Sequence, residues 1–434
     1  MIGRTNERAR TPLARGVCPG SGWALALIGA ALLFPPVVQA QLPGTEVRDS
    51  AGVRIVENPD PATTEVPRWR VPEVPELRLG MLDGPEHLLF SGVLHGAVLE
   101  SGEIAVSTRE PVQLRVFDRE GRHLRSFGAS GEGPGEFRSG IGGLLPLGGS
   151  TVGLSNGSMH LHIYDASDGS HLRSIRGPYA HGIMMTGQWI GEDRLFARSS
   201  APDADPVELG AGVAGRVEGA FMPATVLMLW DPVSLGLDTL GVMGGIEQYQ
   251  SPSPGVPVAI PATPVPLGRR GHVASGADRI HAGNTGRYEI RVFDWTGDLV
   301  QVIRRAHTPR PVSNEDRARA RERLLEGPLF DLEVVPPDIR RALERQAREA
   351  PMPDTHPVFE AFFVARTGEL WVRLASGAED TTWRFDVFSP AGELEAVVEM
   401  PRLHRVLDIG EDHVLGVARD AFDVEYVELY RIMR

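Results

Sequence analysis

Apolar and polar positions alternate along most of this chain in short runs, and Gly, Asp, Asn and Ser break the runs at regular places. A period of two over four to eight residues is the pattern of half-buried β-strands. One pair of runs recurs five times: an apolar-aromatic-Asp (or Ser) triplet, a Gly-containing turn, and a second alternating run. The copies start at Val116-Phe117-Asp118, Ile163-Tyr164-Asp165, Leu229-Trp230-Asp231, Val292-Phe293-Asp294 and Val387-Phe388-Ser389. In each, the Asp or Ser opens a tight turn, which predicts a β-hairpin.

A second kind of hairpin precedes each copy. These are "GAVLESGEIAVS", "GLLPLGGSTVGLS", "GQWIGEDRLFARS", "GHVASGADRIHAG" and "AFFVARTGELWVR", with a sixth, "RVLDIGEDHVLGVA", near the C-terminus. Paired, the two hairpins make units of four strands, the sequence pattern of propeller blades. The sixth unit has only "VEYVELYRIMR" for its third strand before the chain ends. Near the other end, "LRLGMLDGPEHLLF" (Leu77 to Phe90) matches "LRSFGASGEGPGEF" (Leu124 to Phe137) in order. Leu77 to Gly80 is therefore placed to supply the missing fourth strand, closing the last blade and covering two strand edges. The expected fold is all-β: a six-bladed β-propeller closed by an N-terminal strand.

The marked residues stand at 118, 165, 231, 294 and 389, so every interval after the first exceeds the roughly 40 to 50 residues of one blade. Residues 200 to 222 and 244 to 270, rich in Pro, Gly and Ala, read as irregular loops whose length suits the rim of a binding site. The largest excess, 306 to 357, predicts two helices between blades 4 and 5. Ser313 and Asp316 resemble a helix N-terminal box, helix-forming residues run to Gly327, and Pro336-Pro337 opens "DIRRALERQAREA" before Pro351. Leu324, Leu325, Ile339 and Leu343 would form their apolar face. Two readings stay open, a lid over the central channel or a docked element with a solvated Arg/Glu face.

Residues 1 to 40 read as an export signal. Arg4, Arg8, Arg10 and Arg15 precede an apolar core from Trp23 to Phe34, and Val38-Gln39-Ala40 suits cleavage before Gln41. Pro35-Pro36 cuts the core short of the roughly 20 apolar residues of a membrane span. The mature domain is then 41–434, in the periplasm, at the cell surface or outside the cell. Losing four Arg and one Glu takes the net charge from −13 to −16, which argues against a nucleic-acid partner. Cys18 is the only cysteine and lies in the signal, so the mature chain has no thiol for disulfides or catalysis.

The units resemble NHL-type six-bladed propeller repeats, with a G-x-G-P-G-x-F linker, an inner strand, and "dG-x-ayV" and "V-x-V-F-d-x-x-G" hairpins. Leu94 to Phe137 matches most of that form, and the other copies match its hairpins. The resemblance implies the fold and leaves activity open, since such propellers include binding proteins and enzymes.

Motifs that carry chemistry are scarce. "GASGEGPGEF" lacks the Lys-Ser/Thr of a phosphate loop, and no G-x-S-x-G, EF-hand or H-E-x-x-H pattern is present. With the inner strands aligned, His95, His272 and His404 fall near the strand starts of units one, four and six, where three imidazoles could hold a divalent metal. Amidating lyases of similar fold place histidines around the channel, and lactonase-like propellers hold calcium there with Glu, Asn and Asp. Glu100, Asn156, Asn284, Asp380 and Asp420 are the corresponding carboxylate and amide candidates here. Trp189, Trp371 and Trp383 sit in alternating strands and read as packing residues. The leading expectation is an exported, non-catalytic module that binds a protein, peptide or glycan and needs no cofactor. The alternative is a lyase or lactonase using zinc or calcium in the channel.

Overall fold

The protein was examined as a computed structural model, which describes residues 42–138, 140–157, 160–177, 185–190, 193–200, 219–252, 262–276, 278–326, 336–377 and 380–434. Residues 1–40, expected to be an export signal, and the expected cleavage site before Gln41 lie outside the described residues. Among the described residues, most strands from residue 93 onward fall into six successive sheets with an antiparallel core, numbered in chain order. Sheet 1 is Val93–Val98, Ile104–Thr108, Gln113–Phe117 and His123–Phe127. Sheet 2 is Ile141–Gly148, Thr151–Asn156, Leu161–Asp165 and Ser170–Ile175. Sheet 3 is Met185–Ile190, Arg194–Ser200, Ala224–Trp230 and Leu237–Gly244.

Sheet 4 is built on Gly271–Ser275, Ile280–Asn284, Glu289–Phe293 and Leu299–Arg305, and sheet 5 on Phe359–Val364, Leu370–Leu374, Thr382–Phe388 and Leu394–Pro401. Sheet 6 has Arg405–Ile409, His413–Arg419 and Glu425–Arg431, and its fourth strand is Leu77–Leu79, with Leu79 opposite Val427. The predicted pairing of the chain's two ends is thus present. The chain is mostly β, in a propeller-like arrangement.

The recurring Asp residues do the turn work their positions predict. Asp118 accepts from the amides of Glu120 and Arg122, Asp165 from Ser167, Asp231 from Val233, and Asp294 from Thr296 and Asp298. In the fifth copy the Ser389 hydroxyl accepts from Glu393. Each side chain replaces a backbone acceptor in a turn between the third and fourth strands.

Alternation along each strand puts one apolar set on each sheet face, and the buried sets meet between consecutive sheets. Ala105, Val116, Val152 and Tyr164 join sheets 1 and 2, and Ile163, Trp189, Leu195 and Trp230 join sheets 2 and 3. Phe196, Leu227, Ile280 and Ala282 join sheets 3 and 4, and Ile290, Phe359, Leu370 and Phe388 join sheets 4 and 5. Trp371, Trp383, Val406 and Val414 join sheets 5 and 6. A further cluster, with Leu79, Val427, Val106 and Phe117, joins sheet 6 to sheet 1. The tryptophans thus pack between sheets as expected.

The linker after sheet 1 serves this packing. Phe137 is fully buried between sheets 1 and 2, and the Tyr164 hydroxyl donates to the carbonyl of Gly135. Gly135 has φ +78°, and a Cβ there would sit 2.8 Å from that hydroxyl, so a glycine is required twice over.

Residues 42–70 reveal an arrangement outside the sequence expectation. Val53–Asn58 runs parallel to Leu299–Arg305 on the outer edge of sheet 4 and carries Glu46–Ser50 beyond it, while Arg68–Arg70 runs parallel to Leu394–Pro401 on the outer edge of sheet 5. The segment before sheet 1 therefore covers the outer edges of sheets 4 and 5 and then completes sheet 6.

Helices occupy Asn314–Leu325 (α1) and Pro337–Glu349 (α2), in the chain between sheets 4 and 5. The Ser313 hydroxyl accepts from the Asp316 amide, and the Asp316 carboxylate accepts from the Ser313 amide, closing the predicted box. Leu343 of the expected apolar face is buried with Ala342, Gln346 and Ala347, and Ile339 packs against that group. Leu324 and Leu325 are half-buried. Part of the region expected as irregular loop is ordered. Gly219–Phe221, Gln248–Gln250 and Thr263–Pro264 form a small three-stranded sheet, and the Gln346 side chain of α2 accepts from the Ser251 amide at 3.0 Å beside it. Residues 201–218 and 253–261 of those loops lie outside the described residues.

Candidate functional site

In a four-stranded meander, the connection from strand two to strand three and the connection to the next sheet leave from the same end. The long connections, 201–223, 245–270 and 306–358, are all of these two kinds. Loops of this length at one end of a rigid scaffold are the usual place for binding.

A cavity of about 440 Å³ lies there, between α1 and the ends of sheets 4 and 5. Val265, Leu267, Ala320, Leu324 and Phe359 give it apolar walls. Its charged residues come from separate elements: Arg270 before sheet 4, Arg323 on α1, and Arg373 and Glu360 on sheet 5. Arg270 is mounted by its backbone, whose amide donates to the Thr285 hydroxyl at 2.9 Å. Arg373 pairs with Glu360 at 3.1 Å and stacks over the Trp383 ring at 4.3 Å. Asp316, also in the wall, accepts from His356 Nε2 at 3.1 Å as well as from Ser313, and these hydrogen bonds hold its carboxyl well below the usual range.

A neighbouring cavity of about 710 Å³ shares Val265, Leu267, Thr285, His356 and Pro357 with the first, and the adjacent pair is called the trough below. A third, of about 290 Å³, is lined by His95 and Gly142 at one side and by Arg198 and Val273 at another, drawing on sheets 1 to 4.

The three histidines do not meet. Among the described residues, no group of three or more His, Cys, Asp and Glu side chains is arranged to hold a metal ion. His95 is pushed down to about 4 by burial and then by Arg405. His272 lies about 6 Å from the rings of Phe359 and Phe362. It too is held at about 4, by burial and then by Arg270, Arg373 and Arg198. His404 is lowered by burial and by Arg419 and Arg405, and its backbone amide donates to Val417 at 2.7 Å. Each of the three imidazoles has guanidinium neighbours, which oppose a cation beside it.

The carboxylate and amide candidates are occupied locally. Glu100 accepts from the Gly149 amide, Asn156 from His160, Asn284 from Gly286, Asp380 from Gly377, and Asp420 from Phe422 and Val424. Each of these side-chain oxygens is thus engaged by a backbone amide.

The arginines that line these cavities were missed by sequence reasoning, and a signal for two of them existed. Leu195 lies opposite Trp230 and Leu370 opposite Phe388, so the aromatic triplets put these leucines at equivalent strand positions. Arg198 and Arg373 each follow three residues later.

No protein-family model matches this chain, and no curated protein does. Among solved structures, it is similar to a member of the DUF4221 family from Bacteroides vulgatus, with 10% identity over 84% of this chain and 99% of that one and a TM-score of 0.46. It is also similar to the RRP9 WD40 repeats, with 10% identity over 83% and 99% and a TM-score of 0.41. Similarity at this level assigns no family and no activity to the chain. No helix among the described residues is long and apolar enough to cross a membrane.

Proposed function

We propose that this chain is an exported six-bladed β-propeller that binds a protein, peptide or glycan at its loop-bearing end without catalysing a reaction. Support for six blades in a closed ring comes from six sheets that each contain a four-stranded antiparallel meander and from apolar clusters between neighbouring sheets, one of which joins sheet 6 to sheet 1. The two helices then form an insertion between blades 4 and 5, covering one sector of the binding end. Export is supported by the basic start and short apolar core of residues 1–40.

The observation that carries the binding role is the trough beside α1, whose larger part, of about 710 Å³, adjoins a part of about 440 Å³. Sites of about 300–1,000 Å³ with apolar walls and a few placed polar groups are the usual form of a ligand pocket. The test is a thermal-shift screen of the full chain against peptide and glycan collections, repeated with Ala375→Phe. Ala375 is half-buried in the wall of the smaller cavity, and a phenyl ring there would fill the space. Hits that stabilise the native chain and lose that effect in Ala375→Phe support the reading. Hits that stabilise both equally place binding elsewhere.

A further inference from the structure

We propose that the trough beside α1 is a carboxylate-binding site for an acidic peptide segment, with Arg270 and Arg323 as a clamp and Arg373 at its wall. This rests on the binding role argued above and names its ligand class. Positive charges are left over in the cavity wall after the protein's own pairing. Glu360 accepts from the Ser376 amide at 3.2 Å and pairs with Arg373, and Asp316 is held by Ser313 and His356. Both carboxylates in the wall are therefore engaged internally. The guanidinium groups of Arg270 and Arg323 have no ion-pair or hydrogen-bond partner among the described residues, and Nε of Arg373 is buried without one. An acidic chain of net charge −13 thus keeps unpaired positive groups around one cavity.

Two further observations point the same way. His272, next to the cavity wall residue Phe359, stays neutral because Arg270, Arg373 and Arg198 add to the effect of its burial, so the local field is positive. Unpaired guanidinium groups are matched to carboxylates by their planar, forked donors. The extent of the site favours an extended peptide over a small acid, since two adjacent cavities of about 440 and 710 Å³ share five wall residues. A glycan is disfavoured because Phe359, the aromatic ring lining the smaller part, is fully buried and offers no open face to a sugar.

The experiment is selection of a random heptapeptide phage library on the full chain, followed by fluorescence polarisation with the enriched peptides. The expected result is an excess of Asp and Glu in the enriched sequences. Binding should be at least about tenfold weaker to Arg270→Gln/Arg323→Gln, as the loss of two charge-assisted contacts implies. It should be partly retained by Arg270→Lys/Arg323→Lys, which keeps the charge and loses the fork. Circular dichroism should give all three proteins one thermal midpoint, because neither side chain supports the fold. Enrichment without acidic excess, or equal binding by the Gln variant, overturns the ligand class and leaves the binding role standing. No enrichment above a heat-unfolded control overturns the ligand class and the binding role together.

Discussion

The amide of Leu394 donates to the side-chain oxygen of Asn58 at 2.8 Å, tying the start of the outer strand of sheet 5 to the strand that edges sheet 4. Asn58 is 3% exposed, and its Nδ2 donates to the carbonyls of Arg304 at 3.0 Å and Gly392 at 2.9 Å. One amide side chain thus satisfies three backbone groups from two sheets. Asn58→Ala leaves those groups without a partner, at a cost of about 1–3 kcal/mol for a buried group left unsatisfied. Urea denaturation should show the midpoint fall with the slope unchanged. Asn58→Asp, which keeps the acceptor and removes both donors, should lie at or below that value.

Leu79 is 3% exposed and faces the cluster that joins sheets 6 and 1, while its neighbour Arg78 points outward and lies 3.4 Å from Glu428. Leu79→Ala should cost roughly 2–5 kcal/mol, the range for a core leucine. Arg78→Ala removes an ion pair whose Arg side chain is about half exposed together with a guanidinium stacked over Tyr426, but Tyr430 still donates to the buried Glu428, so the cost should stay below that of Leu79→Ala. Equal effects in equilibrium unfolding would show that the N-terminal strand does not secure the last sheet.

The contrast between these residues explains what could be read from the chain. Asp118, Asp165, Asp231 and Asp294 were legible because a hairpin turn is encoded within five residues. Leu77 to Leu79 was legible although its partner is remote, because a linker copy follows it as one follows sheet 1. Val53–Asn58 has the alternation of a strand and an Ala51-Gly52 turn before it, yet nothing local specifies a parallel partner at Leu299–Arg305. The surroundings of the candidate site were not legible for a related reason. Placing His95, His272 and His404 on inner strands did not say what would surround them, and a one-residue change of register reverses the face. Some of their guanidinium neighbours come from other sheets: Arg405 of sheet 6 lies near His95, and Arg373 of sheet 5 and Arg198 of sheet 3 lie near His272.

Helix α1 carries Arg323 and forms one wall of the proposed site, so its anchorage can be tested separately from the sheets. Ser313→Ala removes the acceptor for the Asp316 amide at 3.0 Å and should cost about 1 kcal/mol, the usual loss of an N-terminal cap. Hydrogen exchange should quicken at residues 314–317 and remain unchanged in sheets 1 and 2, because local opening needs only the cap and its contacts. Faster exchange throughout would mean that α1 is required for the whole fold.

Asp408 joins three sheets at the opposite end from α1, and its pairing with His413 predicts how stability varies with pH. Its carboxylate accepts from the Val98 amide at 3.0 Å and from Arg366 at 2.9 and 2.6 Å, with His413 Nε2 at 3.6 Å. Asp412 lies 3.0 Å from His413 Nδ1. Burial opposes the charge on Asp408, but His413, Arg366 and the Val98 amide outweigh it and lower its pKa. Burial likewise opposes the charge on His413, and Asp408 and Asp412 raise its pKa in spite of it. A lowered carboxylate contributes stability above its unfolded value of about 3.9, and that contribution is lost as pH falls through the folded value. A raised histidine contributes below its unfolded value of about 6.5, and that contribution is lost as pH rises through the folded value. This cluster therefore stabilises most between about pH 4 and 6.5. Urea midpoints measured from pH 3 to 9 should fall on both sides of that interval. His413→Gln should flatten the alkaline limb, because it removes the group that loses its proton there. Asp408→Asn should weaken both limbs and lower the plateau, because the two charged partners, Arg366 and His413, then face a neutral amide. An alkaline limb unchanged in His413→Gln would assign that titration to another group and remove His413 from the coupling.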